Sequence, residues 1–204
     1  MDTDLVLNTG IENISTVYGG VRGTTLSSRR NMRHWPSIAK AGVKTVIELR
    51  EEDSSSRLCK MCERYGIHYF AFPMDSHNVP DELIAEKLEA FFHLIDKGDF
   101  YIACAMGLHR TDMALSVYWM FHGAELGMDP PILRGHIEDG EFKLNRLNNK
   151  VFRRLNSLYA YLSENNMISI PDKDAFNELK TKLINYNYET FQISRKKQKR
   201  TQEC

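Results

Sequence analysis

The residue types best suited to chemistry in this sequence are adjacent in one segment, Cys104-Ala105-Met106-Gly107-Leu108-His109-Arg110-Thr111. It lies between the apolar run 100–103, which predicts a strand, and the apolar run 113–121, which predicts a helix. The backbone N–H groups of a strand-to-helix loop can turn inward, and the helix dipole adds to their field, so an anion is favoured at the centre. The segment 105–110 is therefore a candidate phosphate-binding loop.

Three residues in and next to this loop suit phosphate chemistry. The guanidinium of Arg110 can place two donors on two phosphate oxygens. Gly107 permits a backbone conformation that a side chain resists. Cys104 would lie at the bottom of the same field, which favours the thiolate, and a thiolate that faces phosphorus is a nucleophile. The competing interpretation is that Cys104 is a small buried residue at the end of a strand.

Strands and helices alternate in the sequence on both sides of this loop. Strand patterns occur at 14–26, in two pieces around the Gly19-Gly20 turn signal, and at 44–49, 67–72 and 100–103. Helix patterns occur from about residue 28 to 41, at 54–65 and at 80–97, and the last of these carries Ile84, Leu88, Phe91 and Ile95 on one face. This alternation predicts an α/β fold with a largely parallel central sheet flanked by helices.

The sequence after Gly123 favours helices. Apolar residues spaced three and four apart predict a long amphipathic helix over 144–163, and a second helix is predicted over 172–184. A basic run at 195–200 is interpreted as a solvated tail. We therefore expect three parts, an N-terminal segment (1–13), a catalytic domain (14–165) and a helical C-terminal extension (166–204).

Composition narrows the function further. The chain has 204 residues with 42% hydrophobic and 26% charged residues, which is typical of a globular protein. Its 27 Lys+Arg balance 27 Asp+Glu, so the whole molecule lacks the charge that attracts nucleic acid or an anionic membrane. The first residues lack a signal-peptide pattern, and four cysteines are too few for a disulfide framework. We expect a reduced, cytoplasmic protein with neither nucleic acid nor membrane as partner.

The segment 104–111 resembles the signature loop of the cysteine-dependent protein tyrosine phosphatase superfamily, in its compact dual-specificity branch. The segments 17–23, 41–50 and 65–69 are similar to the opening strands of that branch, and the resemblance covers about residues 14 to 122. It implies a tyrosine-phosphatase-like fold and a phosphocysteine intermediate on Cys104. It also implies that Arg110 binds the phosphoryl oxygens and that the Thr111 hydroxyl helps the thiolate to leave.

The resemblance also supplies a general acid, which a phosphate ester needs because its leaving oxygen must be protonated. Family members carry this aspartate in a mobile loop before the cysteine, and the segment 72–80 matches that loop. Asp75 is therefore the predicted acid, and the base in the second step. Asp81 is the rival, although its place after Pro80 is explained by a helix start. No metal and no cofactor are expected.

The sequence departs from the family pattern at three positions. Ala103 stands where the family usually has the histidine that organises the loop, and Asp112 stands where it usually has glycine. His109 replaces a frequent glycine, as in atypical plant and fungal relatives, some of which act on inositol pyrophosphates. The simpler interpretation is that His109 is a rim residue that packs against the Asp75 loop. Neither Ala103 nor Asp112 removes an atom that takes part in catalysis.

Taken together, the residues predict a phosphatase that hydrolyses phosphate monoesters of a phosphorylated protein or a small phosphorylated substrate. Phosphotyrosine is the expected substrate, with phosphoserine and phosphothreonine also open. The alternatives are a catalytically weak phosphate-binding pseudophosphatase and an inositol-polyphosphate phosphatase, although the loop has no lysine for extra phosphates.

The Cys59-x2-Cys62 pair lacks partners for zinc, but one of its thiols could form a disulfide with an oxidised Cys104. Arg50 is expected to form ion pairs.

Overall fold

The chain divides into two units, Met1–Ala114 and Leu115–Cys204, in a computed structural model that describes residues 1–50, 55–74, 79–138 and 141–202. The candidate phosphate-binding loop belongs to the N-terminal unit. The predicted domain boundaries after residues 13 and 165 stay a prediction.

A five-stranded sheet is the centre of the N-terminal unit. Its strands are β1 (Ser15–Val17), β2 (Gly20–Thr24), β3 (Thr45–Glu48), β4 (His68–Ala71) and β5 (Phe100–Cys104). They lie in the order β1-β2-β5-β3-β4; β1 is antiparallel to β2, and the other neighbouring pairs are parallel. The predicted α/β class with a largely parallel sheet is confirmed. Because β2 to β5 run in one direction, they end at one edge of the sheet, and β5 ends in the middle of that edge.

Apart from the first one, which the sequence did not predict, the helices of the N-terminal unit follow the predicted alternation. They are α1 (Thr3–Leu7), α2 (Trp35–Lys40), α3 (Ser55–Arg64), α4 (Asp81–Ala85), α5 (Leu88–Asp96) and α6 (His109–Tyr118), which extends into the second unit. Trp35 and Ile38 of α2 and Leu58 of α3 are fully buried with Val46 and Tyr101 of the sheet. One face of the sheet is thereby covered by the helices that flank it in sequence.

Two of these helices differ from the sequence prediction. The helix predicted from about residue 28 begins only at Trp35, after a 3₁₀ turn at Met32–His34, because Pro36 fits only the first turn of a helix. The helix predicted over 80–97 is broken between α4 and α5, where the N–H of Lys87 bonds the carbonyl of Ile84 three residues back. All four apolar residues predicted for its inner face are nevertheless buried.

The second unit is mainly helical, as predicted for the C-terminal part of the chain. After the end of α6 it contains α7 (Leu144–Leu147), α8 (Arg153–Asn165) and α9 (Lys173–Gln202), with π-helical turns at Trp119–Gly123 and Asn148–Phe152. Asn187 of α9 holds the preceding loop, since its amide accepts from the N–H of Leu133 and donates to the carbonyl of Pro131. None of the helices in the described residues is long and apolar enough to cross a membrane.

The second unit also differs from the prediction in detail. A 3₁₀ turn, Arg134–His136, leads into a two-stranded hairpin of β6 (Ile137–Glu138) and β7 (Glu141–Phe142), which is too short to give a periodic signal in the sequence. Helix α9 continues to Gln202 instead of ending near residue 184, so the backbone of the basic run 195–200 is helical.

The hydroxyl of Tyr101 ties β5 to the end of β2, next to the candidate loop. Tyr101 is fully buried, and its hydroxyl donates to the carbonyl of Thr24 at 2.8 Å. Gly23 leaves room for this contact, because a Cβ there would lie 2.3 Å from the Tyr101 hydroxyl. Burial, with a smaller contribution from the Glu48 carboxylate, raises the pKa of Tyr101, so the hydroxyl remains a donor at neutral pH.

We expect Tyr101→Phe to lower the free energy of unfolding by about 1–2 kcal/mol, because the Thr24 carbonyl loses its donor while the ring still packs. Urea unfolding followed by circular dichroism measures this. Tyr188→Phe, at a tyrosine that is 54% exposed, is the matched control and should change stability by less than about 0.5 kcal/mol. Equal effects of the two substitutions would contradict the role of the Tyr101 hydroxyl.

Candidate active site

The loop 105–108 connects the end of β5 to the start of α6. Cys104 is the last residue of β5 and is only 4% exposed, while Ala105 and Met106 project to solvent. The chain turns back into the protein at Gly107, which is buried, and α6 then begins at His109. Helix α6 thus starts four residues earlier than its apolar run suggested. As a result, His109 and Arg110 lie in its first turn, both half-buried.

The hydroxyl of Thr111 lies next to the thiol of Cys104. Thr111 is completely buried, and its Oγ1 donates to the Sγ of Cys104 at 3.4 Å. The two residues are brought together because α6 folds back over the end of β5. A hydrogen-bond donor at this distance stabilises a negative charge on sulfur. The arrangement suits a sulfur that has to carry charge during a reaction.

Gly107 packs directly on the backbone of β2. It has a left-handed backbone conformation with φ of 65°, and a Cβ on it would lie 2.4 Å from the carbonyl carbon and oxygen of Gly23. Real Cβ contacts with backbone are essentially never this short, so no residue with a side chain fits without displacement of the loop or the strand. Gly107 therefore sets how closely the loop approaches the sheet.

Two side chains that the sequence analysis did not single out hold the loop from below. The amide of Asn13 donates to the carbonyl of Met106 at 2.9 Å. The guanidinium of Arg22 on β2 donates to the carbonyl of Gly107 at 2.8 Å and to that of Leu108 at 3.3 Å. Three consecutive carbonyls of the loop are therefore anchored. A charged residue inside a short strand was the available signal for Arg22, since a buried charge needs a partner.

The same Arg22 guanidinium forms a salt bridge with Asp112 at 2.5 Å. Both side chains are buried, with 3% and 0% of their surface exposed. Asp112 lies in the first turn of α6, where its charge also suits the positive end of the helix dipole. The departure from the family pattern at position 112 is thus matched by a buried arginine on the neighbouring strand.

A second network, partly exposed, joins the end of β3 to the segment that follows β2, across the end of β5. The Arg50 guanidinium forms a salt bridge with Glu48 at 2.7 Å, as expected, and also donates to the hydroxyls of Thr25 and Ser27. Ala103 is paired in register with Glu48 on β3, so the two side chains point to the same face of the sheet. A buried carboxylate therefore lies beside the position at which the family usually has histidine.

The predicted acid, Asp75, lies outside the described residues. The chain before it is described as far as Met74, whose N–H bonds the carbonyl of Leu49 just beyond the end of β3. This segment thus leaves the sheet at the edge that carries Cys104. Asp81 is the first residue of α4, in agreement with its interpretation as a helix-start residue.

The other cysteines differ in their accessibility. Cys59 is exposed on α3, whereas Cys62 is buried. Burial, reinforced by Cys59 and by the Glu48 carboxylate, raises the pKa of Cys62 to about 12. The Cys62 thiol is therefore protonated at neutral pH and is a poor nucleophile for resolving an oxidised cysteine. Within the described residues, no three His, Cys, Asp or Glu side chains are grouped so that they could hold a metal ion.

We expect Gly107→Ala to weaken the binding of inorganic phosphate by roughly 10-fold or more and to lower the free energy of unfolding by about 2–4 kcal/mol. The added methyl group meets the Gly23 backbone and forces the loop away from β2. Isothermal titration calorimetry with phosphate and urea unfolding measure the two effects.

Gly66→Ala is the matched control. Gly66 has the same φ of 65°, but a Cβ there has nothing within 4 Å, so the substitution carries the conformational cost without the clash. It should destabilise the protein by about 1–2 kcal/mol and leave phosphate binding unchanged. If the two variants behave alike, the contact between Gly107 and Gly23 does not determine the site.

The fold is similar to that of solved phosphatase structures. No protein-family model matches the chain, and no curated protein matches it. Among solved structures, a candidate phosphatase (DUF442) from Shewanella putrefaciens CN-32 has a TM-score of 0.50 at 18% identity, over 79% of this chain and 97% of its own.

Two further structures are similar at lower TM-scores. The core catalytic domain of the PP-IP phosphatase SIW14 from S. cerevisiae has a TM-score of 0.48 at 17% identity, over 78% of this chain and 96% of its own. TpbA from P. aeruginosa has a TM-score of 0.41 at 13% identity, over 90% of each chain. At these identities the likeness concerns the fold alone. The chain therefore has the α/β fold of the Shewanella putrefaciens structure, which agrees with the fold that the resemblance implied.

Proposed function

We propose that this protein is a cysteine-dependent phosphatase that hydrolyses phosphate monoesters through a phosphocysteine on Cys104. The observation that carries the proposal is the position of the Cys104 thiol. It lies at the end of the central strand, beneath a loop with anchored carbonyls and within 3.4 Å of the buried Thr111 hydroxyl. A cysteine that served only to fill space would need neither the anchored loop nor the hydroxyl.

In the first step, the phosphoryl group binds the amides of residues 105–110 and the guanidinium of Arg110. The Cys104 thiolate attacks phosphorus and forms the P–S bond, while the bond from phosphorus to the ester oxygen breaks. The electron pair of that bond goes to the leaving oxygen, which takes a proton from Asp75 and departs as an alcohol or phenol. Arg110 balances the charge on the transferring oxygens.

In the second step, water replaces sulfur on phosphorus. Asp75, now ionised, takes a proton from the water, and the water oxygen forms the new bond to phosphorus. The P–S bond breaks, and its electron pair returns to sulfur as the thiolate. The Thr111 hydroxyl, which donates to Sγ, stabilises this leaving thiolate. Inorganic phosphate is released, and the enzyme returns to its starting state.

The rim of the loop favours a phosphate ester of modest charge. Ala105 and Met106 are exposed at the rim, Met106 with 51% of its surface accessible, and the loop contains no lysine. A thioether at the entrance can pack against an aromatic ring, whereas additional phosphates would find no ammonium group in this loop. We therefore propose phosphotyrosine as the preferred substrate, with inositol polyphosphates as the less favoured alternative.

We expect Cys104→Ser to abolish turnover of an aryl phosphate while phosphate and vanadate still bind, because a serine hydroxyl is not ionised at neutral pH. Release of p-nitrophenol and calorimetric titration with phosphate measure the two properties. Cys59→Ser, at the exposed cysteine on α3, is the matched control and should retain wild-type turnover. Substantial turnover by Cys104→Ser would contradict the phosphocysteine mechanism.

We expect Asp75→Asn to lower turnover by roughly 10²-fold or more on substrates with poor leaving groups, and by much less on activated aryl phosphates. The reason is that only a poor leaving group needs a proton in the transition state. Steady-state rates on a series of aryl phosphates with different leaving groups measure this dependence. Asp81→Asn is the control, and the assignment is wrong if Asp81→Asn shows the dependence and Asp75→Asn does not.

The same assays separate the enzyme from a pseudophosphatase. A binding module would show no turnover on phosphotyrosine peptides, phosphoserine peptides or inositol polyphosphates, yet would bind phosphopeptides tightly. Our proposal expects turnover, greatest on phosphotyrosine peptides. Faster turnover of inositol polyphosphates would reassign the substrate while leaving the chemistry of Cys104 intact.

A further inference from the structure

The underside of the 105–108 loop is held by side chains from the N-terminal segment and β2, and this arrangement is not part of the chemistry described above. Neither Asn13 nor Arg22 takes part in phosphate binding or in the attack on phosphorus as described above. Asn13 donates to the carbonyl of Met106, and Arg22 donates to the carbonyls of Gly107 and Leu108 and to the Asp112 carboxylate.

We propose that Arg22, paired with Asp112 and assisted by Asn13, is a positioning residue that aims the amides of the loop at the bound phosphoryl group. This inference rests on the proposed function, because it concerns how the same site binds phosphate. It assigns a role to Asp112, which stands where the family that the loop resembles usually has glycine.

The geometry of the peptide bond carries the argument. In a trans peptide the carbonyl of one residue and the N–H of the next point in opposite directions, and the described chain has no cis peptide. Anchoring the carbonyls of residues 106 and 107 therefore turns the N–H groups of residues 107 and 108 to the opposite side of the loop. Those N–H groups are the donors that a phosphate would use. The carbonyl of Leu108 accepts both from Arg22 and, as the first helical bond of α6, from the N–H of Asp112.

Charge explains why Arg22 needs Asp112. A guanidinium buried to this degree is costly unless it is paired, and Asp112 supplies the opposite charge at 2.5 Å. Conversely, Asp112 without Arg22 would be a buried negative charge in the turn that binds the anion. The pair lets the loop be anchored by a strong donor without adding net charge beneath the phosphate.

Preorganisation is what this anchoring would contribute. Amides that already point at the anion do not have to be reoriented when charge develops in the transition state. If the loop were free to turn its peptide planes, binding of phosphate would have to order it first, and affinity and rate would both fall. The inference therefore predicts an effect on binding and turnover that is separable from any effect on stability.

The test compares Asp112→Ala with the double variant Arg22→Met/Asp112→Ala. The single variant Arg22→Met leaves the Asp112 carboxylate buried without its ion-pair partner, and misfolding would make it uninformative. In Asp112→Ala the Arg22 guanidinium also loses its ion-pair partner, but it keeps its bonds to the carbonyls of Gly107 and Leu108. The double variant removes both charges together, so a purely structural ion pair would be dispensable in it. Each protein is assayed at a temperature at which circular dichroism shows it to be folded.

We expect Arg22→Met/Asp112→Ala to bind inorganic phosphate about 10-fold or more weakly than Asp112→Ala does, which corresponds to about 1.4 kcal/mol or more. We also expect kcat on an aryl phosphate to fall, with a smaller change in KM. Calorimetry and steady-state kinetics provide these values. Equal phosphate affinity and equal kcat in the two variants would overturn the inference, whatever their stabilities.

Asn13→Gly tests the same idea without altering charge. Asn13 has φ of 57°, which glycine adopts readily, so the substitution removes the donor to Met106 without straining the backbone. We expect phosphate affinity to fall by about 2- to 5-fold, in line with the loss of one neutral hydrogen bond. Arg30→Met, which breaks an exposed salt bridge with Glu12 in the same unit, is the control and should leave affinity unchanged.

The outcomes distinguish this inference from the proposed function. If the wild-type protein binds phosphate but hydrolyses no phosphate ester, the proposed function fails. The phosphate affinities of the two variants then still show whether Arg22 positions the loop. If it hydrolyses esters and the double variant matches Asp112→Ala, only the positioning role fails. If the wild-type protein does not bind phosphate at all, both are overturned.

Discussion

The contact between Gly107 and Gly23 is the constraint on which the arrangement of the candidate active site depends. The loop backbone lies so close to β2 that a Cβ at residue 107 would overlap the Gly23 carbonyl. This approach brings the loop carbonyls within reach of Arg22 and lets α6 begin directly above the end of β5. Gly23 is itself required because a side chain there would displace the Tyr101 hydroxyl, which bonds the Thr24 carbonyl. Gly107 thus packs on Gly23, and Gly23 packs on the buried Tyr101, so the position of the loop depends on the core of the sheet.

Two ion pairs lie on either side of Cys104, one fully buried and one with a partly exposed arginine, and their energetics fit the proposed role in positioning. Arg22 on β2 pairs with Asp112 of α6, and Glu48, the last residue of β3, pairs with Arg50 two residues further on. Buried pairs gain little net stability, because the cost of removing two charges from water offsets much of their attraction. Apolar side chains of similar size would stabilise the core as well. Apolar side chains could not, however, donate hydrogen bonds. Arg22 donates to loop carbonyls, and Arg50 donates to the hydroxyls of Thr25 and Ser27, and both sets of acceptors lie next to the site.

The parallel sheet explains why residues far apart in sequence meet at this site. Strands β2, β3, β4 and β5 end at one edge, so the segments that follow them are neighbours there. Cys104 ends the central strand, and the Glu48–Arg50 network follows the strand on one side of it. The segment that leads to Asp75 leaves the next strand, β4, at the same edge. Under the proposed function, this common edge is what would let an acid and a nucleophile that follow separate strands act on one phosphate.

The sequence by itself determined the α/β class, the alternation of strands and helices from β1 to α6, and the loop that follows Cys104. These follow from local causes, namely hydrophobic periodicity, glycines at turns, and a cysteine and an arginine at a characteristic spacing. It did not reveal the break between α4 and α5, the full length of α9, or the contacts that Asn13, Arg22 and Asp112 make. Whether a charged side chain is buried, and against which carbonyl, depends on which strands become neighbours. That neighbourhood is created when β2 pairs with β5, residues about eighty positions apart in the chain, and only the tertiary structure decides it.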